Sequence, residues 1–218
     1  MNGQYRIRTL VAWQLAICLV ATLVAQPAWA QSSTKILSIE EHWSLKVGEP
    51  EPDRSSPQAS MVMSPSGNLD GQYFLFTLNH RTLPAYEPGG MQVQLWDGDA
   101  AVDEQVGAAE GTLTVPDEEI TWVQRLEIDG GSLKFQVLSG TSQTWGPFGD
   151  NGVLKLTAST TLADLNEYQP GVSLTESEVG YAGNRVLSLT LDKLVWTTED
   201  GQVHELNAPI DIDTDIDP

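Results

Sequence analysis

The stretch that decides the fold is Thr121-Trp122-Val123-Gln124-Arg125-Leu126-Glu127-Ile128, then Asp129-Gly130-Gly131, then Leu133-Lys134-Phe135-Gln136-Val137-Leu138. Two runs alternate apolar and polar residues at the period of a strand, and the glycines between them stand where a tight hairpin needs positive φ. The pattern predicts an antiparallel pair. Asp200-Gly201 repeats it between Leu194 to Thr198 and Val203 to Leu206. In the strand before that turn, the series Leu187, Leu189, Leu191 changes phase to Leu194 and Trp196, so a bulge or bend is expected near Asp192-Lys193.

Working outward, short alternating runs bounded by Gly, Asn, Asp and Pro recur from about Ile36 to the end, and no window carries helical periodicity. The best-defined strands are expected at Ser60 to Ser64, Gln72 to Asn79, Met91 to Trp96, Thr121 to Glu127, Leu133 to Leu138, Val153 to Ala158, Val186 to Thr198 and Val203 to Asn207. This predicts an all-β, two-sheet antiparallel, jelly-roll-like sandwich. One short helical turn is expected over Thr160 to Tyr168, with Thr161 as cap, Leu162 and Leu165 on one face, and Pro170 as its stop.

The first thirty residues read as an export signal. Arg6 and Arg8 form a basic start, Leu10 to Ala25 is almost wholly apolar, and Ala28-Trp29-Ala30 suits cleavage before Gln31. The apolar run falls short of the about 20 residues of a full bilayer span. The expected organisation is therefore residues 1–30 as signal, 31–207 as a single sandwich domain and 208–218 as an acidic tail. Localisation is expected to be secreted, periplasmic or cell-envelope. Cys18 is the only cysteine and lies within the signal, so disulfides, a thiolate nucleophile and cysteine-bound zinc are excluded from the exported chain.

The 218 residues less the first 30 leave 188, which suits one domain. Two of the 11 basic residues lie in the signal and none of the 30 acidic ones, so the remainder carries 9 against 30, or −21. Such a surface repels nucleic acid and anionic lipid, and neither is expected as a partner.

The order of elements resembles the concanavalin A-like, laminin G-type jelly roll. The likeness is carried by Tyr73-Phe74-Leu75-Phe76 with Asn79-His80, by Gly89-Gly90 leading into Met91 to Trp96, and by the Trp122 to Leu138 hairpin with its Asp-Gly turn. The Leu-rich Val186 to Trp196 strand also fits. The resemblance implies binding of glycans or extracellular proteins, or action on polysaccharides. Hydrolases of that group carry a strand on which two glutamates flank an aspartate. Here Glu127-Ile128-Asp129 begins that pattern, but Gly131 and Ser132 stand where the second glutamate belongs. Glu127 and Asp129 could meet the spacing of an inverting pair, yet Asp129 reads first as the residue that opens a turn. His42, His80 and His204 are scattered, and His204-Glu205 lacks the second histidine of a zinc-protease motif. No catalytic residue is assigned.

Gln92, Gln94 and Trp96 share one side of a strand whose other side is Met91, Val93 and Leu95. Amides bind sugar hydroxyls and an indole offers a flat face to a pyranose ring, so these residues, with Arg81, Tyr86 and Asp97, form the candidate ligand platform. The alternative is a solvated face with Trp96 folded into a small cluster. Trp43, Trp122, Trp145 and Trp196 read as packing residues, while Trp145-Gly146-Pro147-Phe148-Gly149 either presents a binding tip or plugs the sandwich end. Asp211, Asp213 and Asp215 alternate like the opening of a calcium loop but lack its turn glycine and closing glutamate, so calcium stands as a candidate cofactor beside an acidic tail. The expected function is non-catalytic binding of an extracellular or envelope glycan or protein partner. The alternatives are a polysaccharide hydrolase or lyase, and a structural envelope protein.

Overall fold

A computed structural model of the protein describes residues 34–49, 57–79, 81–82, 87–88, 90–107, 113, 115–150, 152–180 and 185–212. Residues 1–30, expected to be an export signal, lie outside these, as do Tyr86, Asp213 and Asp215. In chain order the elements are β1 (Ile36–Val47), β2 (Gln58–Met63), β3 (Gln72–Leu78), β4 (Arg81–Thr82), β5 (Glu87–Pro88), β6 (Met91–Asp97), β7 (Ala100–Val106), β8 (Glu119–Asp129), β9 (Ser132–Ser142), β10 (Gly146–Phe148), β11 (Lys155–Ser159), α1 (Pro170–Glu176), β12 (Glu178–Gly180), β13 (Val186–Thr198) and β14 (Val203–Asp211).

Two antiparallel sheets pack face to face. The seven-stranded sheet runs β10-β9-β8-β1-β13-β14 with β11 also on β9, and the five-stranded sheet runs β12-β2-β3-β6-β7. β4 and β5 form a separate two-stranded ladder. Period-two burial explains both layers: on β8, Ile120, Trp122, Leu126 and Ile128 are buried while Thr121, Arg125 and Glu127 face out. Phe74 of the smaller sheet stacks on Phe135 of the larger at 5.3 Å between ring centres, and Phe76 meets the edge of Trp122 at 6.1 Å. Trp43 and Trp122 lie parallel at 6.3 Å between them, which makes both packing residues as expected.

Both hairpins form. Gly130 and Gly131 hold φ of 57° and 82° at the β8–β9 turn, and Gly201 holds 80° at the β13–β14 turn. The bulge falls where the leucine series changed phase, between Leu191 and Lys193, with a matching slip between His42 and Trp43 on β1.

Three expectations need correction. The helix spans Pro170–Glu176 rather than Thr160 to Tyr168, because Pro170 occupies its first turn instead of stopping an earlier one. Proline has no N–H to lose there and its φ is already helical. Thr160 accepts a hydrogen bond from the Leu162 amide, a local turn that competes with helix. β14 continues to Asp211, four residues beyond Asn207, where the acidic tail was expected to have begun. Lastly, β1 has 12 residues and lies at the centre of the larger sheet, although it was not among the best-defined strands.

Candidate functional site

The expected platform lies on the outer side of the five-stranded sheet. On β6 the inner residues Met91, Val93 and Leu95 are buried in the core, and Gln92, Gln94 and Trp96 point away from them. The three do not form one open surface. Gln92 is only 4% exposed and its amide donates to Glu104 Oε2 at 3.0 Å, so it is spent on the neighbouring strand β7. Gln94 and Trp96 are half-buried, and the Trp96 indole lies nearly parallel to Tyr73 on β3, 6.2 Å away. Trp96 Nε1 has no hydrogen-bond partner among the described residues. Asp97 is exposed at the end of β6. Arg81 stands on the separate β4–β5 ladder.

Trp145 to Gly149, read as either a binding tip or a plug of the sandwich end, contains the short strand β10, whose Phe148 is buried in the core. β10 pairs with β9 through Phe148↔Gly140, and the Phe148 ring occupies the space a Cβ on Gly140 would need. Asp211 belongs to β14, where its carboxylate accepts from the Leu189 amide at 3.1 Å. Among the described residues no group of three or more His, Cys, Asp or Glu is placed to hold a metal. Asp129 is tied to Lys134 across the hairpin, and Glu127 pairs with Arg125 at 3.9 Å. The lysine beside Asp129 holds that carboxyl below its ordinary range, as an ionised turn residue.

A different face carries the larger concavities. On the outer side of the seven-stranded sheet, a depression of about 420 Å³ is lined by His42, Thr121, Val123, Ser139, Thr141, Asp192, Lys193 and Asn207, with the backbone around Trp43, Trp122 and Gly140. A second, of about 240 Å³, is lined by Arg125, Glu127, Lys134, Gln136, Lys155 and Thr157. They follow one another along the same two strands: Val123 belongs to the first and Arg125 to the second, two residues on along β8, or about 7 Å. The larger also reaches across β1, β13 and β14, and the two neighbouring depressions are together called the trench below.

Its lining mixes hydrogen-bond donors and acceptors. The Thr121 and Thr141 hydroxyls bond each other at 3.0 Å from opposite strands. His42 Nε2 is buried with no hydrogen-bond partner among the described residues, its nearest charged neighbour being Glu40 Oε2 at 3.9 Å. Burial, helped by the Lys193 ammonium, lowers the His42 pKa, so its imidazole is neutral at pH 7. None of these residues was a sequence candidate except His42 and Glu127, which were weighed and set aside. The signal available was the polar half of each alternating strand, and it becomes a site only once β1, β8, β9 and β13 are known to be neighbours.

One further polar cluster lies inside. Glu41, on the core side of β1 and 0% exposed, accepts from Trp43 Nε1 at 2.9 Å, from Gln124 Nε2 at 2.8 Å and from the Tyr168 hydroxyl. Burial pushes its carboxyl up from the ordinary value, against the pull of these donors. It lines none of the depressions described above. Its partners instead pin Tyr168, and with it the connection that leads into α1, onto the larger sheet.

No family model matches the chain, and no curated protein matches it. Among solved structures, that of scytalido-glutamic peptidase with a transition state analog inhibitor is similar over 80% of this chain and 82% of its own, at 8% identity and a TM-score of 0.36.

Proposed function

We propose that this is an exported, non-catalytic binding protein that takes an extracellular or cell-envelope glycan in the trench along β8 and β9. The observation that carries this is the trench itself. It consists of two neighbouring depressions on the polar side of a sheet whose other side is core, lined by hydroxyl, amide, imidazole and charged groups. Mixed donors and acceptors at strand spacing suit a ligand rich in hydroxyls, each of which both gives and accepts. The resemblance to concanavalin A-like, laminin G-type jelly rolls supports the same class of ligand by analogy only.

The test is affinity electrophoresis of the purified protein in gels containing soluble polysaccharides, with and without calcium, beside Ser139→Trp. Ser139 is exposed and lines the larger depression, so an indole there fills the trench without touching the core. Retardation that Ser139→Trp abolishes, with an unchanged unfolding transition, is the expected result. Retardation untouched by that variant would move binding elsewhere, and no retardation in any gel would remove the proposal.

The Tyr73–Trp96 pair favours a second reading, in which the outer side of the smaller sheet is the platform. Two flat rings side by side, both partly exposed, are suited to a pyranose. Trp96→Ala then abolishes retardation and Ser139→Trp does not.

A further inference from the structure

The chain carries 30 acidic against 11 basic residues, yet its cations are not scattered. Lys46, Arg125, Lys134, Lys155 and Lys193 all stand on the outer side of the seven-stranded sheet, where Glu40, Glu119, Glu127 and Asp129 also lie. Three of them converge on the smaller depression. Across β8, β9 and β11 the register sets Arg125 beside Gln136 and Gln136 beside Lys155, and in the next row Glu127 beside Lys134 and Lys134 beside Thr157. Neighbouring strands lie about 4.8 Å apart, so each row spans about 10 Å. The depression is lined by three cations and the Glu127 carboxylate; Lys134 is paired with Asp129 and Arg125 with Glu40 and Glu127, which leaves the Lys155 ammonium uncompensated.

Of the donors in the first row, Arg125 is held in two long ion pairs and the other two are uncommitted. Arg125 approaches Glu40 and Glu127 only at 3.8 and 3.9 Å, beyond hydrogen-bond length. Neither the Gln136 amide nor the Lys155 ammonium has a hydrogen-bond or ion-pair partner among the described residues. Lys155 is fixed by its backbone, which donates to Gln105 Oε1 at 2.8 Å. A planar guanidinium, an amide N–H and an ammonium in one line are a complementary set for a group that only accepts, which means a carboxylate or a sulfate.

We infer that the depression lined by Arg125, Gln136 and Lys155 is a subsite for an anionic substituent, and that the glycan in the trench is an acidic one, bearing carboxylate or sulfate groups. This rests on the trench as the binding site. At about 240 Å³ the slot is smaller than the 300 to 1,000 Å³ usual for a whole small ligand, so it takes one charged unit while the adjoining 420 Å³ receives its neighbours. The distant acidic surface is largely screened beyond about 8 Å at physiological salt, and the nearby Glu40, Glu127 and Asp129 leave the Lys155 end of the row as the cationic one.

Affinity electrophoresis tests this with polygalacturonate for carboxylate, a sulfated galactan for sulfate, and laminarin as the neutral glycan. The proteins are the unaltered chain, Lys155→Glu, Gln136→Glu and Lys46→Glu. Lys155 and Lys46 are both exposed, so neither change disturbs folding, and Lys46 lies on the same sheet side outside the slot. The expected result is binding to at least one acidic glycan that weakens about 10-fold in Lys155→Glu and Gln136→Glu, and less than about 2-fold in Lys46→Glu. Whether polygalacturonate, the galactan or both respond tells which anion the slot holds. Equal loss in Lys46→Glu would mean diffuse charge and overturn the subsite. So would laminarin binding as tightly as the acidic glycans, although the trench would then stand, since Ser139→Trp would still abolish it. Failure to bind any glycan would overturn trench and subsite together. Binding only to vesicles of anionic phospholipid, with the same sensitivity to Lys155→Glu, would reassign the row to a lipid headgroup.

Discussion

Glu41 shows how one residue shapes both the architecture and the difficulty of reading it. In Ile39, Glu41, Trp43, Leu45, Val47 the carboxylate takes a core position of an otherwise apolar series, which breaks the alternation by which strands are found. The chain tolerates it there because three side chains converge to donate. Glu41→Leu leaves those donors buried and unpaired, and is expected to cost about 3 to 5 kcal/mol in urea unfolding. Glu41→Gln keeps an acceptor for Trp43 and Gln124 and is expected to cost less than about 2 kcal/mol. The two also separate in pH dependence. The folded-state pKa of Glu41 is raised above its ordinary 4.5, so between that value and the folded one the native state keeps a proton the unfolded chain has released. Its contribution to stability is full below the ordinary value and is lost as pH rises through the folded pKa. Stability measured from pH 4 to 8 therefore falls less steeply with rising pH in Glu41→Gln than in the unaltered protein; an identical slope would assign that pH dependence to other groups.

At the scale of elements, the readable parts were those whose geometry is local. Asp129-Gly130-Gly131 and Asp200-Gly201 specify hairpins because only the turn has to be right, and the change of phase after Leu191 marks a bulge for the same reason. Pro170 was misjudged because a proline stops a helix and starts one with equal local logic, and the choice was made by Leu165 and Tyr168 entering the core ahead of it. The candidate ligand residues fared likewise. Gln92, Gln94 and Trp96 were rightly placed on one side of a strand, but the Glu104 that occupies the Gln92 amide comes from the next strand. The β8–β9 register that puts Arg125 beside Gln136 follows from the short turn, whereas Lys155 joins them only through β11, which carries no turn linking it to β9. Two glycines, one in the β8–β9 turn and one just after β10, give a test at this scale. Gly130 has positive φ with nothing within 4 Å of an added Cβ, so Gly130→Ala is expected to cost about 1 to 2 kcal/mol from backbone conformation alone. Gly149 also has positive φ, but a Cβ there would lie 2.8 to 2.9 Å from backbone atoms of Val137, Leu138 and Ser139. Gly149→Ala is expected to cost about 2 to 4 kcal/mol, since strain and overlap add. Equal midpoint shifts for the two in thermal unfolding would contradict the close approach of that loop to β9.

At the scale of the whole molecule, a strongly acidic surface carries one local row of donors, Arg125, Gln136 and Lys155, and the consequence is a salt dependence of unusual shape. An acidic glycan approaching from a distance meets a protein of net charge −19, or −21 without the first thirty residues. Once seated it meets Arg125, Lys134 and Lys155 at close range. These two interactions have opposite sign and different reach. At about 0.01 M salt the screening length is about 30 Å and the repulsion of the whole surface acts on the approach; at about 0.15 M it is about 8 Å and only the row of cations is felt. At about 1 M it falls to about 3 Å and the row itself is weakened. Affinity for the acidic glycan is therefore expected to rise and then fall with ionic strength, with its maximum between the extremes, and the rise should appear in the association rate. Lys155→Glu is expected to flatten the falling limb while leaving the rising one, because it removes the local attraction and hardly changes the total charge. Stopped-flow or surface-based kinetics over that range measure both limbs. A steady decline of affinity from the lowest salt upward would mean that the cationic row outweighs the acidic surface at every distance, and the separation of the two scales would be lost.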